Sequence, residues 1–417
     1  MAEIIPFKGI LYNVSEVPGE DVVAPPYDII TPEYKEALYN KSPYNIVRID
    51  FGKELEGDNE SENKYKRASE FFNSWLKHGI LIRSKNPAFY AHEIEYKIKG
   101  QLKKLKGFFG LVRLEELGKG NIHPHECTHS KPKADRLNLM RSCNANISPI
   151  FSLYNSPEKE ASEAIEKTIN KGKPYIEAKD SAGSIHRLWT IEDKKDIEAI
   201  KNDLKNRAVF IADGHHRYET ALEFQKEMNK LSAVGSQPSA QPWDYVLMFL
   251  ANISDEGLTI LPAHRLVKDM PENPINILSE WFEIKELPSA EKMEDAISRH
   301  KHAIGFFQHG NHRQYILQYK KDGLEDVHPA LRGLDVTILH ELIFKKLFKV
   351  SHIEYEMDIK ETVDRVNKGL YDAAFFLNPT RVEDVERVAL SSVRMPPKST
   401  YFYPKLLTGL VIYKFRD

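Results

Sequence analysis

The chain switches repeatedly between two hydrophobic periods, and those switches place most of its elements. Short apolar runs bounded by turn residues predict buried strands over 89–96, 108–114, 147–154, 243–253 and 373–378. Elsewhere apolar positions recur every three or four residues. Over 63–78, Tyr65, Ala68, Phe71, Phe72, Trp75 and Leu76 share one broad helical face, and Gly79 closes the helix. Thr31-Pro32 reads as a helix start, with Thr as cap and Pro in the first helical position. Residues 157–206 read as a helix, a strand near 185–190 and a charged helix; 335–347 reads as an amphipathic helix, and 44–51 as a strand. The Lys-rich stretch from Lys97 to Gly107 predicts a solvated hairpin or helix face. Pro25-Pro26 predicts a rigid extended loop, and Pro124 with Pro132 predicts a loop across much of 121–141. Residues 232–242 are the most linker-like. Helix and strand alternate without an internal repeat, so the expected class is α/β or α+β.

Composition narrows the function classes. With 417 residues, two or three domains are expected, or one α/β unit over 1–417 with a large elaboration. Cuts near 155 and 270 would give parts 1–155, 156–270 and 271–417, the middle one carrying the densest motif. Lys and Arg total 59 against 61 Asp and Glu, for a net charge of −2, which disfavours a general nucleic-acid-binding surface. No run approaches 18 uninterrupted apolar residues and no signal-like segment opens the chain, so a cytoplasmic protein without a membrane partner is expected. Two Cys make neither a disulfide framework nor a Cys-rich metal site. Cys127 and Cys143 are isolated, and neither is expected to be a nucleophile.

The densest chemistry lies at 211–218, IADGHHRY, between a β-like run and a helical one. Gly214 permits a sharp turn that presents Asp213, His215, His216 and Arg217 where the helix begins. Backbone N–H groups there favour anions, Arg217 offers a fork matched to phosphate, and a His transfers protons near neutral pH. A plain capped helix or a protein-held metal would use some of the same residues. The H-E-x-x-H spacing is absent, and a divalent ion shared with a phosphorylated ligand suits the set better.

A second dense segment holds His123, His125, Glu126, His129, Ser130, Lys131, Lys133, Asp135 and Arg136. It suits a metal cluster over His123 to Glu126 with Cys127 as an extra ligand, a phosphorylated ligand with Glu126 as candidate general base, or a merely exposed charged loop. Three weaker pieces offer further ligand contacts: Asp28 after the Pro pair, His264 and Arg265 after a strand, and Lys398, Ser399, Thr400 and Lys405 near the end. Walker A, G-x-G-x-x-G and G-x-S-x-G patterns are missing.

Taken in order, VVAPPYDII, THSKPKADRL, IADGHHRYETAL, AHR and MPPKSTYFYPKLLTGL resemble the bacterial and archaeal family called domain of unknown function 1015, over essentially the whole chain. Cys127 departs from a pattern that often has a third His there, which weakens a metal role for that loop. The Asp-Gly-His-His-Arg turn is also similar to that of the ParB/sulfiredoxin-like superfamily, which includes an archaeal free serine kinase with Asp-Gly-His-Thr-Arg. That resemblance implies a ParB/sulfiredoxin-like core, with Asp213, His215 and Arg217 at nucleotide phosphates and His216 in place of the Thr. It implies phosphoryl transfer on a small metabolite, serine or phosphoserine, by a kinase-like or phosphatase-like reaction. Mg²⁺ would be the cofactor, and ATP, ADP or pyrophosphate the phosphate source. The alternative it leaves open is a nucleotide-responsive regulator or nucleic-acid-binding protein.

Overall fold

In the computed structural model of the chain, residues 2–126, 128, 130–232, 240–287, 292–310, 313–320 and 323–416 are described. Their contacts divide into two units. Unit 1 comprises Met1–Pro124, Thr128–Thr259 and Pro404–Asp417; unit 2 comprises His125–Cys127 and Ile260–Tyr403. The expected cut near 155 falls inside unit 1. The strand Tyr245–Asn252 joins Gln101–Arg113 on one side and Ile150–Tyr154 on the other, which leaves nothing separable there. The expected cut near 270 falls inside unit 2.

Unit 1 is built on a mixed sheet. Its strands run in the order Ile122–His123, Val209–Asp213, Ile150–Tyr154, Tyr245–Asn252, Gln101–Arg113, Phe89–Ile98, Ile185–Ile191 and Ile176–Lys179, with Ile4–Ile5 beside Gln101–Arg113. Tyr245–Asn252 is buried at every position, as its unbroken apolar run requires of a central strand. The Lys-rich stretch is a hairpin, as expected. Lys99 and Gly100 both take positive φ, 49° and 79°, and join Ile98 to Gln101 in a two-residue turn that matches the strand twist. Its lysines face carboxylates: Lys104 lies 3.3 Å from Glu93 and Lys106 2.5 Å from Glu166.

Unit 2 has a six-stranded antiparallel sheet ordered Phe282–Leu287, Gln314–Tyr319, Ala303–Gln308, Ala373–Phe376, His264–Val267 and Ile353–Glu356. Leu266, Ala374 and Phe376 pack with Ile297 and Val366 from two helices to form its core. The segment expected as an amphipathic helix is a helix Asp335–Thr337 that widens into a π-helix, Ile338–Phe348. It is buried over more of its surface than one stripe would give.

Two expectations fail for local reasons. The stretch 44–51 is not a strand; Val47–Asp50 is a short helix. Asn45 sets it up, donating to the carbonyls of Asp21 and Val23 at 2.8 and 3.0 Å while its Oδ1 accepts from Val47 N at 3.0 Å. Ile46, Val47 and Ile49 are then all buried, which alternation cannot deliver. The segment carrying Pro132 is not a loop either. Ser130–Cys143 is a helix with Pro132 in its first turn, where a missing N–H breaks no helical hydrogen bond. Among the described residues no helix is long and apolar enough to cross a membrane.

Candidate functional site

The strand Val209–Asp213 is apolar until its last residue, and four of its five positions are buried. Gly214 ends it with φ +100°, a backbone angle that side chains with a Cβ rarely adopt, and the helix His215–Ser232 starts at once. A Cβ at position 214 would lie 3.0 Å from Nε and 3.1 Å from Cζ of Arg217, so the glycine also makes room for the guanidinium. Tyr218 anchors the first turn: its hydroxyl donates to the Glu115 carbonyl at 2.8 Å and accepts from the Glu115 N–H at 3.0 Å.

The acid of the turn is held between cations. Lys405 Nζ donates to Asp213 Oδ2 at 2.7 Å, and Arg217 Nη2 lies 3.6 Å from Asp213 Oδ1. Arg217 also donates to the Pro149 carbonyl. His215 is buried, and His216 is half-buried. Lys133 Nζ and Thr128 Oγ1 both donate to Glu219 Oε2, at 3.1 and 2.6 Å, which brings Lys133 to the first turns of the same helix. Asp213, His215, His216, Arg217, Lys133 and Lys405 are thus grouped in unit 1.

Behind this turn lies a buried ion pair that no local pattern in the sequence announces. Arg136 Nη1 donates to Asp50 Oδ1 at 2.9 Å and Nη2 to the Asp50 carbonyl at 2.8 Å; the side chains are only 5% and 2% exposed. Ser148 Oγ donates to the same Asp50 oxygen at 3.2 Å. The guanidinium carbon stands 4.0 Å from the centre of the Tyr27 ring. Burial raises the Asp50 carboxyl above its ordinary value, with Arg136 and then Arg217 pulling it down. Burial pushes Tyr27 up to about 12 against the same two arginines. Burial also opposes ionisation of Asp135, yet Arg136 and Lys64 bring it down to about 2. Asp28 is exposed in the 3₁₀ turn Tyr27–Ile29, where its charge acts on Tyr27. It does not cap the following helix; Thr31 does, accepting from Tyr34 N at 3.2 Å.

Of the other expected site residues, Glu126, His264, Arg265, Lys398, Ser399 and Thr400 belong to unit 2. Arg265 is 1% exposed and spends its donors internally, on the carbonyls of Ala263 and Lys398 and on His340 Nε2. Burial brings it down to about 10. His264 is also enclosed, and burial, helped by Arg265, brings it down to about 3. These two side chains are core groups of unit 2, where packing around the strand His264–Val267 encloses them. Thr400 Oγ1 stands 2.8 Å from His125 Nε2 and 3.4 Å from Glu126 Oε1, joining residues far apart in sequence. Ser399 is buried and its hydroxyl donates to the Pro396 carbonyl; Lys398 is exposed with φ +53°. His129 lies outside the described residues, and Lys131 is described only as part of the helix Ser130–Cys143. Burial pushes the Cys143 thiol up to about 12, so it stays protonated.

Among the described residues no three His, Cys, Asp or Glu side chains are grouped to hold a metal ion, and the Asp213 oxygens face Lys405 and Arg217.

Comparisons with known proteins cover most of the chain. The sequence model of a family described as protein of unknown function (DUF1015) matches residues 4–337. No curated protein matches the chain. Among solved structures, a free serine kinase in complex with AMP is similar with 14% identity and a TM-score of 0.36, over 70% of this chain and 89% of that one. A conserved hypothetical protein from Pyrococcus furiosus gives 15% identity and a TM-score of 0.35, over 70% and 92%. SbnI with a C-terminal truncation, from Staphylococcus aureus, gives 12% identity and 0.34, over 72% and 85%. Likeness at this level carries no functional argument.

Proposed function

The chain belongs to the DUF1015 family, and from that premise we propose that unit 1 binds a small phosphorylated ligand at the Asp213–Arg217 turn and transfers its phosphoryl group. The observation that carries the reading is an 18-residue helix that starts directly after a left-handed glycine, with Arg217 in its first turn and Lys405 drawn in beside Asp213. Helix N–H groups and two cations favour phosphate oxygens. Phosphoryl transfer asks mainly for positioning and charge compensation, which such a set supplies. To His216, half-buried in the same turn, the reading assigns proton exchange with an entering hydroxyl. On the resemblance of the turn, the core is ParB/sulfiredoxin-like, the phosphate source ATP, ADP or pyrophosphate, and the acceptor serine, or phosphoserine in the reverse sense. Magnesium, when present, would shield phosphate charge as the ligand's own counterion.

The test is direct. The protein is incubated with serine and each phosphate donor, and separately with phosphoserine, with and without Mg²⁺, and phosphorus NMR follows the products. Turnover that falls at least about tenfold in R217A and H215A supports the reading. Turnover unchanged in both variants refutes the role of the turn, and saturable nucleotide binding without turnover favours a nucleotide-responsive regulator.

A further inference from the structure

The buried pair behind the turn leaves one acceptor unused. Asp50 Oδ1 is taken by Arg136 and Ser148, but Asp50 Oδ2 is enclosed and has no hydrogen-bond partner among the described residues. Asp50, Arg136, Ser148 and Arg217 line the polar side of a cavity of about 30 Å³, and Leu139 and Val246 part of its apolar side. That space holds roughly two water-sized groups. A buried carboxylate oxygen without a donor is costly, and structures seldom keep one without a use for it.

Arg217 gives the cavity its meaning, because it belongs both to this lining and to the turn. We infer that the cavity is the donor-recognition end of the ligand site: Asp50 Oδ2 accepts an N–H or O–H from a ligand whose phosphate lies at the start of the helix His215–Ser232. The inference rests on the phosphate reading above and sharpens it. The ligand class becomes a small phosphomonoester, or its acceptor alcohol, that carries a hydroxyl or ammonium a short chain away from the phosphorylated oxygen. The Arg136 clamp explains why the carboxylate can wait in this place. Two nitrogens of Arg136 fix the Asp50 side chain and its carbonyl, so Oδ2 is held in orientation before any ligand arrives. Ser148, next to the Pro149 carbonyl that receives Arg217, donates to Asp50 Oδ1 from the bend between Ala145–Asn146 and Ile150–Tyr154 and leaves Oδ2 untouched.

Three probes separate the parts of this inference: ethyl phosphate, 2-hydroxyethyl phosphate and O-phosphoethanolamine, titrated calorimetrically into the full chain. The last two should bind about tenfold to a hundredfold tighter than ethyl phosphate, the range expected of a hydrogen bond to a charged acceptor. In D50N the ratio between the affinities of the three probes should fall to about one, whatever the change in the affinity for ethyl phosphate itself. D50N disturbs a buried pair, so if it does not fold, the comparison on the unaltered protein decides alone. Equal binding of all three probes overturns the donor assignment, leaves the phosphate site standing, and makes the cavity a place for water only. A preference that survives in folded D50N also overturns it. If no probe binds, the phosphate reading falls, and this inference with it.

Discussion

Replacing Arg136 with Met tests whether the Asp50–Arg136 pair organises unit 1. At 2.9 Å separation, the two charges attract by about 6 kcal/mol at an effective dielectric of about 20, and most of that is offset by the loss of water from both groups. Removing only the cation leaves the cost of burying Asp50 without its return, about 3–5 kcal/mol. D50N should cost less, about 1–2 kcal/mol, because Arg136 keeps Asp135 and the Asp50 carbonyl. The double variant should be milder than the sum of the two by at least about 1 kcal/mol. The pH dependence has a definite sign. Without Arg136, burial raises the folded-state pKa of Asp50 further above its unfolded value of about 3.9, so the native state binds the extra proton. R136M should therefore recover stability below the unfolded value and lose it as pH rises through the folded one. Urea unfolding followed by tryptophan fluorescence suits the measurement, because Trp75, Trp189 and Trp243 lie in unit 1 and W281F silences the reporter in unit 2. An R136M midpoint within about 1 kcal/mol of the parent, with no change in pH slope, would refute the reasoning.

Other outcomes follow from features of both units. G214A should lose about 1–3 kcal/mol by urea unfolding and bind phosphate more weakly, because the new methyl meets both a left-handed backbone and the Arg217 guanidinium; a neutral result would mean the turn relaxes freely. K405M should weaken pyrophosphate binding about tenfold in calorimetry, with little effect on the far-UV circular dichroism of the chain. Burial lowers His264 to about 3 and also lowers His92 and His186, so burial disfavours the charged imidazole at all three. Their contribution is complete above the unfolded value of about 6.5 and is lost as pH falls below it; His264 alone accounts for about 2 kcal/mol by pH 5, read from urea midpoints at pH 7.5 and 5. In a C127S background, Cys143 should react with a thiol reagent only at the rate of unfolding; fast labelling of the folded chain would contradict its burial.

The sequence was most legible where one period acted alone. The Thr31-Pro32 start, the Gly79 stop, the Lys99-Gly100 hairpin and the buried strand at 245–252 all follow from local rules, and the structure has each. It was least legible where a long-range partner decided the local form. Nothing near Ile46 says that Asn45 will bracket two carbonyls of another segment, and Pro132 reads as a breaker until its place within the helix is known. The turn itself was visible because its five residues adjoin. Lys405 was visible only as a cation near the end, and Asp50 only as one position of the stretch 44–51 that reads as a strand. Their roles depend on neighbours 192 and 86 residues away, which no window along the chain contains. The same limit explains Arg265, whose guanidinium looks free in sequence and is enclosed in unit 2.

The division of unit 1 into separated stretches of chain gives its site a place in time. Asp213 and Lys405 stand 192 residues apart, and the whole of Ile260–Tyr403 is made between them. At roughly 5–20 residues per second, a ribosome finishes Asp213 about 10–40 s before Lys405. Through that interval the strand, the glycine turn and the helix can form, but the carboxylate has no ammonium beside it. A chain cut short anywhere in Ile260–Tyr403 would carry the turn without its second cation. Lys405 thus joins Asp213 only after all of Ile260–Tyr403 has been made.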